Sequence, residues 1–89
     1  MTSKTMKNLE ECFIQAKELR KKFIAVKIEM EGFQEPEIII NPISNTESKL
    51  KYYKKTYDEK LKHKYSDGIK MIGFAYGDSM NEIQQFLCN

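Results

Sequence analysis

The chain has 89 residues, a mass of 10.5 kDa, 40% hydrophobic and 31% charged residues, and a net charge of +2. These values fit one domain with a thin core and exclude two domains or intrinsic disorder. The longest apolar run is about four residues against the ~20 of a membrane span, and no apolar stretch follows Met1-Thr2-Ser3-Lys4 as in a secretory signal.

Residues 6–22 read as a helix. Met6, Leu9, Phe13 and Ala16 form one stripe, Cys12 and Leu19 flank it, and Ser3 or Thr5 caps the start. Ile14 lies more than a quarter-turn off that stripe, where a partner could cover it. Residues 23–30 alternate as a strand, with Ile24, Val26, Ile28 and Met30 in one row. Glu31-Gly32-Phe33-Gln34 is a turn, and 37–41, with isoleucines at 38, 39 and 40, is the second strand. Pro36 marks an edge or a strand start. Ser44-Asn45-Thr46-Glu47 spells a capping box, and a helix is expected to follow to about Leu61. Its inner face would be Leu50, Tyr53, Tyr57 and Leu61, with Tyr52 pointing about 160° away. Asp67-Gly68 turns into a third strand over 69–76. Ser79-Met80-Asn81-Glu82 opens a last helix, with Met80, Ile83 and Leu87 inward.

The expected architecture is α+β, ordered α-β-β-α-β-α, with helices packed on a three-stranded mixed sheet. The strand order is 2-1-3, with strand 3 antiparallel to strand 1 and a right-handed crossover joining strands 2 and 3. Strand 3 carries two apolar rows: Ile69, Met71, Gly73 and Ala75, and Lys70, Ile72, Phe74 and Tyr76. Ile39 and Ala25 also lie off the more apolar rows of their strands. Three helices cover two sheet faces with difficulty, so a homo-oligomer contact at Ile14, Ile39 and Met71 is expected. The alternative is one helix crossing to the second face.

No motif carries catalysis. His63 stands between Lys62 and Lys64, with no Cys, Asp or Glu at helical ligand spacing, so no metal is expected. Ser44 and Ser79 read as helix caps rather than nucleophiles. Cys12 lies on the core stripe, Cys88 is near the end, and both read as reduced thiols of an intracellular protein. Gly73 and Gly77 lack the lysine and Ser/Thr of a phosphate loop. Glu35 and Glu37 share an edge that offers no pocket. The expectation is a protein that is not an enzyme and has no cofactor.

Recognition remains. From Lys49 to Lys64 seven lysines face only Asp58 and Glu59, a window of +5 in a chain whose remainder is −3. The acidic excess gathers at Glu29, Glu31, Glu35 and Glu37. Tyr52, bracketed by Lys49 and Lys55, offers a ring to stack a base or fill a partner's pocket, with ammonium groups for phosphates. Tyr65, near Lys62 and Lys64, is a second such ring. The bland alternatives are a solvated lysine-rich helix, an isolated surface tyrosine and a loop tyrosine packed under the sheet.

The stretches Ala25-Val26-Lys27-Ile28-Glu29-Met30-Glu31-Gly32-Phe33 and Glu35-Pro36-Glu37-Ile38-Ile39-Ile40-Asn41-Pro42 resemble a group of small phage and prophage proteins of Firmicutes. So do Lys49-Leu50-Lys51-Tyr52-Tyr53-Lys54-Lys55, Gly68-Ile69-Lys70 and Gly73-Phe74-Ala75-Tyr76-Gly77-Asp78-Ser79. The resemblance implies a counter-defence accessory protein in the cytoplasm of an infected or lysogenic bacterium. It would sequester a small anionic nucleotide signal or block a host defence protein. A nucleic-acid-binding accessory module and a structural assembly partner are the alternatives.

Overall fold

The computed structural model describes residues 4–88. Its elements are α1 (Met6–Glu18), β1 (Phe23–Met30), β2 (Glu37–Pro42), a 3-10 turn (Ile43–Asn45), α2 (Thr46–Thr56), β3 (Ile69–Gly77) and α3 (Met80–Cys88). The α+β class, the element order and the strand order β2-β1-β3 are as expected. Both neighbouring pairs are antiparallel, so the sheet is antiparallel throughout rather than mixed. β2 and β3 run the same way, but β1 separates them.

Alternation in β1 sorts the core into two parts. Ile24, Val26 and Ile28 face Leu9, Phe13 and Ala16 of α1, Tyr53 of α2, and Tyr57 and Leu61 just beyond it. Ala25, on the opposite side, meets Ile83 and Leu87 of α3. The second face, expected to need a subunit contact, is therefore covered by a helix of the same chain. The Lys27 ammonium donates to the Leu87 carbonyl and ties the last turn of α3 to the sheet.

The two apolar rows of β3 have a local cause. Val26 pairs with Phe74 and Lys27 with Gly73, but Ile28 pairs with Met71. Ile72 is the extra residue of a β-bulge, which reverses the side-chain phase of the strand. Ile69 and Met71 before the bulge, and Phe74 and Tyr76 after it, all reach the same main core. Ala75 faces α3, as does Gly73, where a Cβ would stand 3.4 Å from the Leu87 side chain. This removes Met71 from the expected interface: it is 1% exposed and belongs to the core of its own chain. Ile39 is half-buried, with one side against that core and the rest of its side chain exposed, and Ile14, 52% exposed, lies on the surface.

Helix ends account for the other differences. Thr5 caps α1 in a capping box with Asn8, while Ser3 lies outside the described residues. α1 stops at Glu18 because Arg20 adopts φ 55° and the Lys21 N–H donates to the Ala16 carbonyl at 3.0 Å. No capping box forms at Ser44; residues 43–45 make the 3-10 turn, and the Ser48 hydroxyl donates to the Asn45 carbonyl. α2 ends at Thr56, five residues short of the expected Leu61. At the start of α3 the Ser79 hydroxyl accepts the Glu82 N–H, while the Glu82 carboxylate accepts the Asp78 N–H rather than that of Ser79. Ile83 and Leu87 point inward as expected; Met80 is exposed.

Met71→Ala is expected to cost about 2–5 kcal/mol, because it opens a cavity in a buried site, whereas Ile14→Ala should stay within about 0.5 kcal/mol. Urea unfolding of the two variants measures both. An Ile14→Ala loss as large as that of Met71→Ala would contradict this division of core and surface.

Candidate functional site

The lysine-rich window folds as α2 and a tight loop. Asp58 builds the loop: its Oδ1 accepts the N–H groups of Lys60 at 2.9 Å and Lys62 at 3.0 Å. The Lys62 amide, followed by burial acting in the opposite sense, sets the Asp58 pKa, which lies below its ordinary value. Leu61, at φ 63°, turns the chain back, and residues 61–63 line the outer edge of β3. There Met71 N–H donates to the Leu61 carbonyl and His63 N–H to the Ile69 carbonyl. Tyr57 and Leu61 thus reach the core from a loop, not from a helical face.

A run of aromatic rings crosses this region. Tyr52 meets Tyr53 at 5.6 Å between centroids, Tyr53 meets Tyr57 at 6.2 Å, Tyr57 meets His63 at 5.3 Å and His63 meets Tyr65 at 6.1 Å. Each contact is edge-on, the favoured geometry for ring quadrupoles. The middle of the run is anchored. Tyr53 is buried against Phe13, and its hydroxyl accepts the Asn41 Nδ2–H at 3.3 Å. The ends are open: Tyr52 is 55% and Tyr65 74% exposed.

The sequence-derived site residues do not form one pocket. Lys49 and Tyr52 come together, with the Lys49 ammonium 5.9 Å from the ring centroid. Tyr65 joins them through the ring run, and its N–H donates to Nδ1 of His63. Lys62 instead lines a separate cavity of about 550 Å³ with Glu29, Glu31, His63 and Lys70. Lys55 is exposed on α2 and makes no ion pair among the described residues.

Comparison with known proteins finds no matching family model, no matching curated protein and no matching solved structure.

One lysine cluster escapes a sequence reading. A cleft of about 740 Å³ opens between the start of α1, the end of α2 and the Asp58 loop, with Lys7, Lys54, Lys60 and Lys64 on its walls. Two of its three acids are engaged, and the third, exposed Glu59, makes no ion pair among the described residues. Glu10 takes the Lys54 ammonium at 2.8 Å, and Asp58 is held by backbone amides. The Lys64 ammonium donates to the Lys54 carbonyl, and Lys7, Lys60 and Lys64 are all without an ion pair among the described residues. The Asp58-Glu59-Lys60 turn is the signal that would have exposed this cleft; a helix drawn through to Leu61 conceals it.

Groups with nucleophilic chemistry are quiet. Burial pushes the half-buried Cys12 thiol up to about 11, with Lys4 pulling the other way. Ser79 serves as a cap, Ser44 is exposed with no cap bond, and the Cys88 side chain lies outside the described residues. Among the described residues no three His, Cys, Asp or Glu side chains converge on a common point.

Tyr57 gives the site a measurable pH signature. Burial, then the neighbouring Tyr52, Tyr53 and Glu37, push its hydroxyl from 10 up to about 12. Ionisation is harder in the folded chain, so the stabilisation is whole below pH 10 and is lost as pH climbs toward 12. Thermal melts from about pH 8 to 12 should show that fall, with a shallower slope for Tyr57→Phe. Equal slopes would remove Tyr57 as its source.

Proposed function

We propose that this protein is a non-catalytic binding protein for a small anionic nucleotide, held at the surface of α2 and the segment up to Tyr65. The observation that carries the reading is Tyr52. Its ring is exposed, is braced edge-on by a buried tyrosine, and has an ammonium group beside it. An aromatic held in this way loses little freedom when a base stacks on it. Lys49 beside the ring and the exposed Lys55, about one turn beyond the ring along α2, supply charge for phosphates. Sequestration needs affinity alone; the half-buried Cys12 thiol is held protonated by its burial, and the Ser79 hydroxyl is used as a helix cap. The resemblance to phage and prophage proteins supplies the setting: a counter-defence factor in the cytoplasm of a bacterial host, removing a nucleotide signal from solution.

Titration of labelled DNA, RNA and a panel of cyclic and linear nucleotides at low and physiological salt tests this. The expected result is saturable nucleotide binding with a shallow salt dependence, since two or three phosphates release few counterions. Tyr52→Ala should weaken it roughly 5- to 150-fold, the ~1–3 kcal/mol of one stacked base. Steep salt dependence with a preference for long polymers would instead make this a nucleic-acid-binding module. Failure of every nucleotide, or a Tyr52→Ala variant that binds like the parent, overturns the reading. The exposed ring would then be a contact for a protein partner.

A further inference from the structure

The outer edge of β2 goes beyond the nucleotide reading and does not depend on it. The Ile43 N–H donates to the Lys22 carbonyl, in the same register that pairs β1 with β2. Antiparallel alternation then turns the backbone groups of Glu37, Ile39 and Asn41 toward β1 and those of Ile38, Ile40 and Pro42 outward. Pro36, one step before the strand, falls in the same outward phase. Two outward N–H groups therefore remain on this edge, at Ile38 and Ile40, with a proline on either side. Among the described residues nothing bonds to either one, and β2 is an outer strand. Ile38, Ile39 and Ile40 are all only half-buried.

The segment Pro36-Glu37-Ile38-Ile39-Ile40-Asn41-Pro42 is also nearly symmetric about Ile39. We propose that β2 pairs antiparallel with β2 of a second copy, about a two-fold axis at Ile39, so that two three-stranded sheets become one of six strands. In this register Ile38 of each copy faces Ile40 of the other, and every outward amide and carbonyl of both residues is paired. Shifting the register by two residues either way sets a carbonyl of Ile38 or Ile40 opposite a proline nitrogen, which has no hydrogen to give. Glu37 faces neutral Asn41 of the second copy, so no like charges oppose each other across the axis. The exposed halves of the three isoleucines are covered by their own equivalents. The prolines confine the contact to one short closed pairing and block growth along the edge.

Light scattering of the full chain up to about 200 µM, with residue-resolved amide exchange by NMR, tests the contact. The expected result is a mass of twice 10.5 kDa, with Ile38 and Ile40 amides exchanging at least ~10-fold more slowly in the dimer than in dilute monomer. Ile40→Pro removes an outward donor without touching a bond to β1, and should raise the dissociation constant at least roughly tenfold. Ile38→Lys, which sets an ammonium against Ile40 of the second copy, should do the same if the proline variant fails to fold. A chain that stays monomeric at the highest concentration overturns the proposal. So does a dimer whose Ile38 and Ile40 amides exchange freely, or one that a folded Ile40→Pro or Ile38→Lys variant leaves intact.

Discussion

Ile72 stands without a partner opposite β1, and that one unpaired residue decides what the core contains. In a regular β3 the strand would divide its large side chains between two faces, and one face would lack helices to bury them. The bulge turns Ile69, Met71, Phe74 and Tyr76 to the side where α1, α2 and Tyr57 already lie. It leaves Gly73 and Ala75 on the other side. That second face is then shallow enough for a nine-residue helix to close it with Ile83 and Leu87. A small chain with little apolar surface to spare thus concentrates its bulk on one face and keeps the other thin.

The surface of the proposed site follows from the same economy. Leu61 enters the core from a loop because the Asp58 carboxylate replaces the helical hydrogen bonds that end at Thr56. The loop then lies along the edge of β3 and covers amides that would otherwise face water. Its polar outer side carries Lys60 and Lys64, close to Lys7 of α1 and Lys54 of α2, while Lys62 lines the separate cavity with Glu29 and Glu31. The rings of Tyr53 and Tyr57 are core side chains first. Their packing nonetheless fixes Tyr52 at one end and, through His63, Tyr65 at the other.

Much of this fold is legible from alternation and capping chemistry. The row Ile24, Val26, Ile28 marks a central strand, Gly32 its turn, and Thr5 and Ser79 the starts of two helices. The bulge is not legible, because Ile72 is as apolar as its neighbours and nothing in the residue types says which one lacks a partner. The helix ends at Glu18 and Thr56 are hidden for another reason: Arg20, which is not a glycine, takes the left-handed conformation after α1, and α2 ends with Tyr57 in an extended conformation that no glycine or proline announces. Of the proposed site, the exposure of Tyr52 and Tyr65 is readable from helical phase and local charge. The Asp58-Glu59-Lys60 turn marks one wall of the cleft, but its approach to Lys7 of α1 joins segments about 50 residues apart, and that contact is encoded by no local pattern.

The register between β1 and β3 also shapes the route by which the chain folds. β1 and β2 meet through a short turn, so their hairpin closes quickly from neighbouring residues. β3 must return across about 40 to 54 residues before Met30 finds Ile69 and Phe23 finds Gly77. Until it does, β1 offers an unpaired edge along a strand whose only charges are Lys27 and Glu29. Those two residues guard the interval. Lys27 near the middle of the strand and Glu29 near its end interrupt the apolar run, so stacking on identical strands from other molecules would have to strip water from both charges while the strand waits for its own partner.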